Sequence, residues 1–547
     1  MKNVNNTFSP EVIRTIQDRA YALIKTKDVS LPEAVTIISS EKGIHQQPVL
    51  EFIQPIFDTI HTTCEEFWNI SPTGARSRHK VIIDKGKCLD LAHKLGFFQL
   101  RGPMGTKIIQ LRQKIIEEVD LITVKHAFLD YINTLPAAFD GILRAHLRAA
   151  WLDECTRICE NNFLQNLAIL SEPFLKANGQ TGYFYFNNGF VEVTKATITL
   201  KPYKELPGLI RKTQIIPRDI VILDEEVVVD CSEFYRFCEN VVGKDSKRFY
   251  VLIIALGYLI HSHNSRTTPV AVLLYDKGGR TGKGIMGQAL KYMTNVLNLD
   301  GRNADINSRF VLQRYNPGVN IVFIDDTDPK RLPFDRIFSW LTEGMEAEQK
   351  NKGSYYIPFE EVPKFCITSN FVFEGTTASH EGRRVEVELD SFYSLEFTPE
   401  MDFGHKLFDD WDDQQWLLFD NMMLLCCQYY LADGIQRYKS ANIARERLIL
   451  TTSEEFVMWA EENLIQLKVG IEIDKYIKWQ DFLDKSEFTE KTFPQGKFTH
   501  WMKVYLKGQG YETKDGKSRG EQPRREVLLI VQVPTPEADK YNQSADK

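Results

Sequence analysis

One segment constrains this chain more than any other: TPVAVLLYDKGGRTGKGIMGQALKYM, residues 268–293. Val270–Tyr275 is a continuous apolar run, as expected of a strand buried on both faces of a parallel sheet. Gly278, Gly279, Arg280, Thr281, Gly282, Lys283 and Gly284 then form a glycine-rich loop, and Ile285–Met293 is compatible with a helix. Strand, glycine loop with lysine, and helix is the arrangement that cradles phosphates. Glycines let backbone N–H groups curl around phosphate oxygens, and the helix N-terminus adds positive dipole. Lys283 then reaches the β- and γ-phosphates. Two positions depart from the pattern GxxxxGK[ST]: Lys277 stands where the first glycine belongs, and Gly284 stands where a magnesium-binding hydroxyl belongs. Taken alone, the segment also reads as a plain glycine-rich turn between strand and helix.

Three downstream segments favour the phosphate reading. Asn320–Asp326 is an apolar strand ending in Asp325 and Asp326. In phosphoryl transfer one such acid holds Mg²⁺ and the other polarises the attacking water. Lys364–Asn370 is another apolar strand, ending in Thr-Ser-Asn, where the Asn370 amide can touch a γ-phosphate; a turn is the simpler reading of Asn there. Arg383 and Arg384 follow Gly382 and precede VEVELD; a cation so placed can stabilise transition-state charge.

These pieces, in this order, resemble the superfamily 3 helicases. More closely, they resemble the helicase half of phage and plasmid primase-helicases, related to the poxvirus primase-helicase. The likeness rests on GGRTGKG (278–284), IVFIDDTD (321–328), EGMEAEQKNKGSYYIPFEEVPKF, FCITSN (365–370) and DFGHKLFDDWD (402–412), and covers roughly residues 180–440. The resemblance implies an AAA+-like ATPase that binds ATP and Mg²⁺, assembles as a ring, expected to be a hexamer, and moves along single-stranded or forked DNA. It implies phosphate contacts from residues 278–284, catalytic roles for Lys283, Asp325, Asp326, Asn370, Arg383 and Arg384, and metal binding by Asp325 and Asp326. It puts Lys350 and Lys352 on a hairpin against the DNA backbone; read from the residues alone, that lysine pair beside Gly353 is an exposed turn. A separate primase or initiator is a further expected partner. Primase activity in this chain is not expected: the acidic cluster Asp224, Glu225, Glu226 and Asp230 reads as a helix-capping loop.

Composition bounds the remaining classes. The chain has 547 residues, 43% hydrophobic and 26% charged, with 34 Phe, 21 Tyr and 8 Trp, so disorder as the main state is excluded. That length suggests three or four domains. The net charge of −7 excludes a generally basic coat for nucleic acid, though not a local patch. Such a patch lies at 491–525, with nine Lys or Arg against three acids. There Phe498, Trp501 and Tyr505 share one helix face, and Lys497, Lys503 and Lys507 lie off it. A glycine-rich basic hairpin and the strand Val527–Val533 follow, an order that resembles a winged helix. The longest apolar run, Val251–Ile260, is about half of the ~20 residues that span a bilayer. The N-terminus lacks the apolar core of a signal peptide, and nine scattered cysteines without a CxxC pair suggest reduced thiols. The expected location is the cytoplasm of a bacterial host cell, with no membrane partner.

The expected fold is α/β. Residues 1–50 read as a helical leader, 51–180 as a mainly helical region with a basic loop at Ser71–Lys80, and 181–240 as β-rich. Residues 241–440 read as the ATPase core and 441–547 as a winged-helix-like domain. Within these, Ser9-Pro10 reads as a helix start, and residues 232–263 and 406–440 read as helical. GYFYFNNGFVEVT, TITLKPY and TQIIPRDIVIL read as strands. Three functions fit: an ATP-driven replicative helicase of a phage, plasmid or other mobile element; a replication initiator or DNA-binding scaffold with a weakened ATPase site; or a regulatory ATPase switch.

Overall fold

A computed structural model describes residues 9–27, 29–61, 66–73, 78–102, 105–135, 138–139, 142–160, 164–279, 281–303, 308, 310–349, 353–375, 377–518 and 524–534. Two compact units divide the chain, Met1–Pro173 and Phe174–Lys547.

The first unit opens with three helices, Pro10–Lys27, Leu31–Lys42 and Gln46–His61. The Val12 N–H bonds Ser9 Oγ at 3.4 Å, and Pro10 is the first helical residue, where its missing N–H costs nothing. Ser30 and Glu33 close a reciprocal cap on the second helix, and Gly43 ends it at φ 65°. Ile16, Ala20, Leu23, Ala34, Ile38, Val49 and Phe52 share one core. The helical leader therefore extends through Gln46–His61 instead of stopping at residue 50.

Residues 51–180 are not mainly helical. Trp68–Thr73 pairs antiparallel with Arg78–Ile83 across the expected Ser71–Lys80 loop, whose centre lies outside the described residues. Phe97–Gly102, Gly105–Arg112 and Ile115–Glu118 form an antiparallel meander, beside the helices Lys85–Lys94, Leu121–Thr134 and Arg144–Ile158. Polar residues conceal these strands in the sequence. Gln99 is buried, and its amide donates to the Leu164 and Leu167 carbonyls at 3.1 Å each, so a polar letter marks an inward position. The core is aromatic: Phe128 stacks on Trp151 at 4.4 Å, and Phe67 meets both edge-on.

The second unit begins with the strands Thr181–Phe186, Gly189–Thr194 and Ile198–Lys201 in antiparallel order, the first pair turning at Asn187-Asn188. TQIIPRDIVIL contributes only the two-residue strand Ile215–Ile216, because the Asn188 side chain caps the Ile220 N–H and carbonyl and diverts the chain. Glu225–Cys231 is a helix with Asp224 at its N-cap. Glu233–Val241 and Ser246–Ile260 follow. The second of these lies so close to helix Asp413–Asp433 that a Cβ on Gly257 would fall 1.9 Å from the Cys426 carbonyl oxygen. Of the segment 406–440, only Asp413–Asp433 is helical.

A five-stranded parallel sheet forms the centre, in the order Val296–Asp300, Ile321–Asp325, Lys364–Ser369, Ala271–Tyr275, Arg384–Glu388. Its strands serve two cores. Val272, Leu274, Ile321, Phe323 and Cys366 pack on one face, and Ala271, Leu273, Val322, Ile324, Phe365 and Ile367 on the other. Continuous apolar runs are what such a sheet requires. Gly344–Gln349 and Gly353–Pro358 form a hairpin beside it.

The last part holds the helices Ala441–Thr451, Glu454–Asn463, Lys475–Asp484 and Gln495–Gly508, with the antiparallel strands Glu472–Asp474, Glu526–Gln532 and Glu512–Lys517. Phe456, Phe482, Phe493, Phe498, Trp501 and Tyr505 form its core. No helix among the described residues is long and apolar enough to cross a membrane.

Candidate nucleotide site and basic surface

Sheet order brings the expected residues together. The strand before the glycine loop, Ala271–Tyr275, neighbours Lys364–Ser369, whose other neighbour is Ile321–Asp325. Their carboxyl ends therefore present Lys283, Asn370 and the Asp325–Asp326 pair side by side, at the edge where parallel sheets commonly bind ligands. Gly279, Gly282, Lys283, Gly284, Ile285, Asp325, Asp326, Asn370 and Pro399 line an open cleft of about 370 Å³.

Lys283 opens the helix Lys283–Met293, and Gly282 precedes it at φ 105°, a conformation that glycine adopts without strain. The Lys283 ammonium donates to Asn370 Oδ1 and, at 3.4 Å, to the Ser369 carbonyl. Burial pushes its pKa down, and Asp276, Asp326 and Asp325 pull it back up.

Thr368 ties the two acids. Its hydroxyl donates to Asp325 Oδ1 at 2.7 Å and accepts the Asp326 N–H at 2.7 Å. Asp326 sits at φ 54°, a left-handed conformation that a residue other than glycine holds at a cost of order 1–3 kcal/mol. Its carboxylate pairs with Arg302 at 2.5 Å. Two carboxylates facing one cleft suit a divalent cation, and Gly284 opposite them has nothing within 4 Å of where a Cβ would stand. Asp325 and Asp326 therefore fit the metal role, with room but no hydroxyl at residue 284.

Sequence reasoning misses Asp276, Thr368 and Arg302. The acid between strand and glycines is a local signal for Asp276, since aspartate hydrogen-bonds the backbone two residues on. The hydroxyl two places before Asn370 is a signal for Thr368. Arg302 has none, because it meets Asp326 through strand pairing of Val296–Asp300 with Ile321–Asp325.

The two arginines separate. Arg384 cannot serve as an outward-reaching cation. It is 2% exposed on the strand beside Ala271, and its guanidinium donates to the Glu374 and Gly375 carbonyls at 3.0 and 2.5 Å. Arg383 is half-buried: it lies 4.8 Å over the Phe338 ring and donates to the Ser379 carbonyl at 3.1 Å. Arg280, Lys350 and Lys352 lie outside the described residues. Lys277 points away from the cleft and pairs with Glu446 of the helix Ala441–Thr451.

That helix is fastened along the sheet edge. Ser440 and Asn442 donate to Glu388, Ile443 packs with Tyr275 and Val372, and Arg447 pairs with Glu386 at 2.6 Å. Its next residue, Leu448, belongs to the core of the last part.

Lys497, Lys503 and Lys507 lie on the helix Gln495–Gly508, whose Phe498, Trp501 and Tyr505 are buried as one face. Lys507 is exposed. Lys497 lies 5.1 Å from the Trp501 ring centre, and Lys503 pairs with Asp515 at 2.6 Å. Lys514 and Lys517, on the strand Glu512–Lys517, are exposed.

No protein-family model matches the chain, and no curated protein matches it. Among solved structures, the C-terminal region of NrS-1 in an A-form apo structure is 15% identical, covers 81% of this chain and 99% of its own, and has a TM-score of 0.39. A second apo structure of that region is 14% identical, with 81% and 98% covered and a TM-score of 0.36. A further A-form apo structure is 13% identical, with the same coverage and a TM-score of 0.38. A likeness this distant says nothing about activity.

Proposed function

We propose that this chain is an ATP-driven DNA helicase, with the AAA+-like core of a superfamily 3 enzyme and a winged-helix-like C-terminal part, acting in the replication of a phage, plasmid or other mobile element. One observation carries the reading: Lys283, Asp325, Asp326 and Asn370 meet around a single cleft at the carboxyl ends of three adjacent parallel strands. Lys283 and the N–H groups opening its helix would take the β- and γ-phosphates. Asn370, already bonded to Lys283, would contact the γ-phosphate and align the water. Asp326 would accept that water's proton once free of Arg302. Asp325 would hold Mg²⁺ with Asp326 beside it, and that ion when bound would neutralise charge developing on the phosphates.

In a ring, the missing transition-state cation would come from a neighbouring subunit. Arg383 is the candidate, since Arg384 is spent on backbone carbonyls. The exposed Lys507, Lys514 and Lys517 and the hairpin they flank would contact DNA phosphates. ATP turnover measured with and without single-stranded DNA tests the reading: stimulation by DNA supports it, and turnover indifferent to DNA opposes it. A second reading, an initiator or DNA-binding scaffold with a weakened site, is favoured by Gly284 and by the Arg302–Asp326 pair. DNA binding without any turnover would select it.

A further inference from the structure

The glycine loop holds one group that the usual pattern does not include, a buried acid. Asp276 directly follows the strand Ala271–Tyr275 and its side chain is 2% exposed. A carboxylate in such a place needs partners, since burying an unpaired charge is strongly unfavourable. All of its partners come from the loop that follows. Oδ1 accepts the N–H groups of Gly278 and Gly279 at 2.8 and 2.9 Å. Oδ2 accepts the Thr281 hydroxyl at 2.6 Å and the Thr281 N–H at 3.4 Å. Oδ2 is also 3.7 Å from the Lys283 ammonium. Thr281 is itself 1% exposed, so its contacts with the carboxylate are buried.

The consequence for the loop is geometric. Gly278, Gly279 and Thr281 gather around an anion that belongs to the protein. The turn is thus held by the chain's own carboxylate, and the N-terminal end of the helix Lys283–Met293 faces the cleft. Lys277, at the place where a glycine usually gives the loop its flexibility, is freed to point elsewhere. A fixed internal anion replaces flexibility with a preset shape, and presetting removes the ordering cost that ligand binding otherwise meets.

We propose that Asp276 is a positioning residue for nucleotide turnover: an anionic brace that, through Thr281 and the Gly278 and Gly279 N–H groups, presets the phosphate loop and seats Lys283. This rests on the phosphate-binding reading of the cleft. Neutralising Asp276 has two opposed effects on nucleotide affinity. It loosens the loop, and it removes a negative charge beside the triphosphate. They oppose one another in KM. In kcat nothing compensates for a misplaced Lys283, so the loss falls there.

The test uses the full chain with single-stranded DNA and saturating Mg²⁺, measuring ATP turnover and thermal melting. Asp276→Asn lowers kcat about 100-fold, with KM changed less than threefold. Thr281→Val, which keeps the charge and removes one hydrogen bond to it, lowers kcat about 10-fold. Thr281→Ser, which keeps the hydroxyl, restores most of that loss, as a packing role for the methyl group would not. The double variant is no slower than Asp276→Asn alone, because both act through one network. Wild-type kcat and KM in Asp276→Asn, or in Thr281→Val should Asp276→Asn fail to fold, overturns the brace while Lys283→Ala remains inactive. Full turnover in Lys283→Ala overturns the phosphate reading itself, and the brace with it.

Discussion

The cleft and the C-terminal basic surface handle positive charge in opposite ways. In the cleft a single ammonium, Lys283, is 12% exposed and is held by Asn370, the Ser369 carbonyl and the nearby Asp276. On the C-terminal surface, charge is spread over a helix and a hairpin. Lys507, Lys514 and Lys517 stand in solvent, and Lys503 shares Asp515 with Lys475. The first arrangement concentrates its effect in one group whose environment is fixed. The second distributes it over groups that act nearly independently. Loss of one residue should therefore be severe in the cleft and mild on the surface.

The largest expected effect is at Lys283. Lys283→Ala should lower ATP turnover by about 100-fold or more with the melting curve unchanged, because a cation at a transition state is worth several kcal/mol. Turnover close to wild type would break the contrast outright. Next are the acids. Asp326→Asn should stop hydrolysis while leaving ATP binding near normal, since a proton acceptor acts mainly in the transition state; Asp325→Asn should instead raise the Mg²⁺ concentration needed. Normal hydrolysis in Asp326→Asn would move the base to another group, with Asp328 the next acid along the chain.

Gly284→Ser tests the site from the other direction. A Cβ there meets nothing within 4 Å and the backbone is not left-handed, so the substitution adds a hydroxyl without strain. Half-maximal turnover should then need several-fold less Mg²⁺; an unchanged titration would mean that residue 284 does not face the metal. On the basic surface, changing Lys507, Lys514 and Lys517 together to Ala should weaken DNA binding. The slope of log K against log salt should fall by about 0.7–0.9 for each phosphate left unneutralised. DNA-independent ATP turnover should not move. A slope equal to that of the wild type would put the DNA-binding cations elsewhere.

The smallest effect comes from a third cation, buried and with no acid paired to it among the described residues. Lys364 begins the strand that ends at Ser369. It is 3% exposed, donates to the Tyr258 carbonyl at 2.5 Å and lies 3.8 Å from the Tyr258 ring centre. Burial pushes its pKa down to about 7, against 10.5 in the open chain. Between those values the unfolded chain binds more protons than the folded one, so stability rises with pH across that window. Lys364→Met should raise the melting midpoint at pH 7, and the gain should shrink toward pH 10. A gain that does not vary with pH would show that packing, not charge, sets the effect.

Legibility in the sequence depends on how each element is buried. The central sheet can be read because strands covered on both faces are built on continuous apolar runs, here Ala271–Tyr275, Ile321–Ile324 and Phe365–Ile367. Asp325, Asp326 and Asn370 stand out in the sequence because each sits close beyond such a run, and Lys283 because it closes the glycine loop that follows one. The meander at 97–118 cannot, since Gln99 and Gln110 face inward and are satisfied by carbonyls far along the chain. Arg384 resembles a solvated strand start because the carbonyls of Glu374 and Gly375, which take its guanidinium, curl back over it from the preceding loop. Asp276 resembles an ordinary turn residue, and only the fold of the loop around it gives it two saturated oxygens.

The helix Ala441–Thr451 has a thermodynamic consequence. Its residues as far as Arg447 are bound to the sheet through Glu386, Glu388 and Tyr275, and Leu448, next in the chain, is buried in the aromatic core of the last part. A single helix that serves as wall to two cores cannot melt with one and stay with the other. The cooperative unit therefore runs across the boundary suggested by chemistry at residue 440, in keeping with the single compact body Phe174–Lys547. A cut at 440 strips the last part of a buried wall, and a cut at 452 leaves Leu448 facing water. The parallel sheet with its cleft and the C-terminal basic surface thus share one unfolding transition, so heat that loosens either one loosens both.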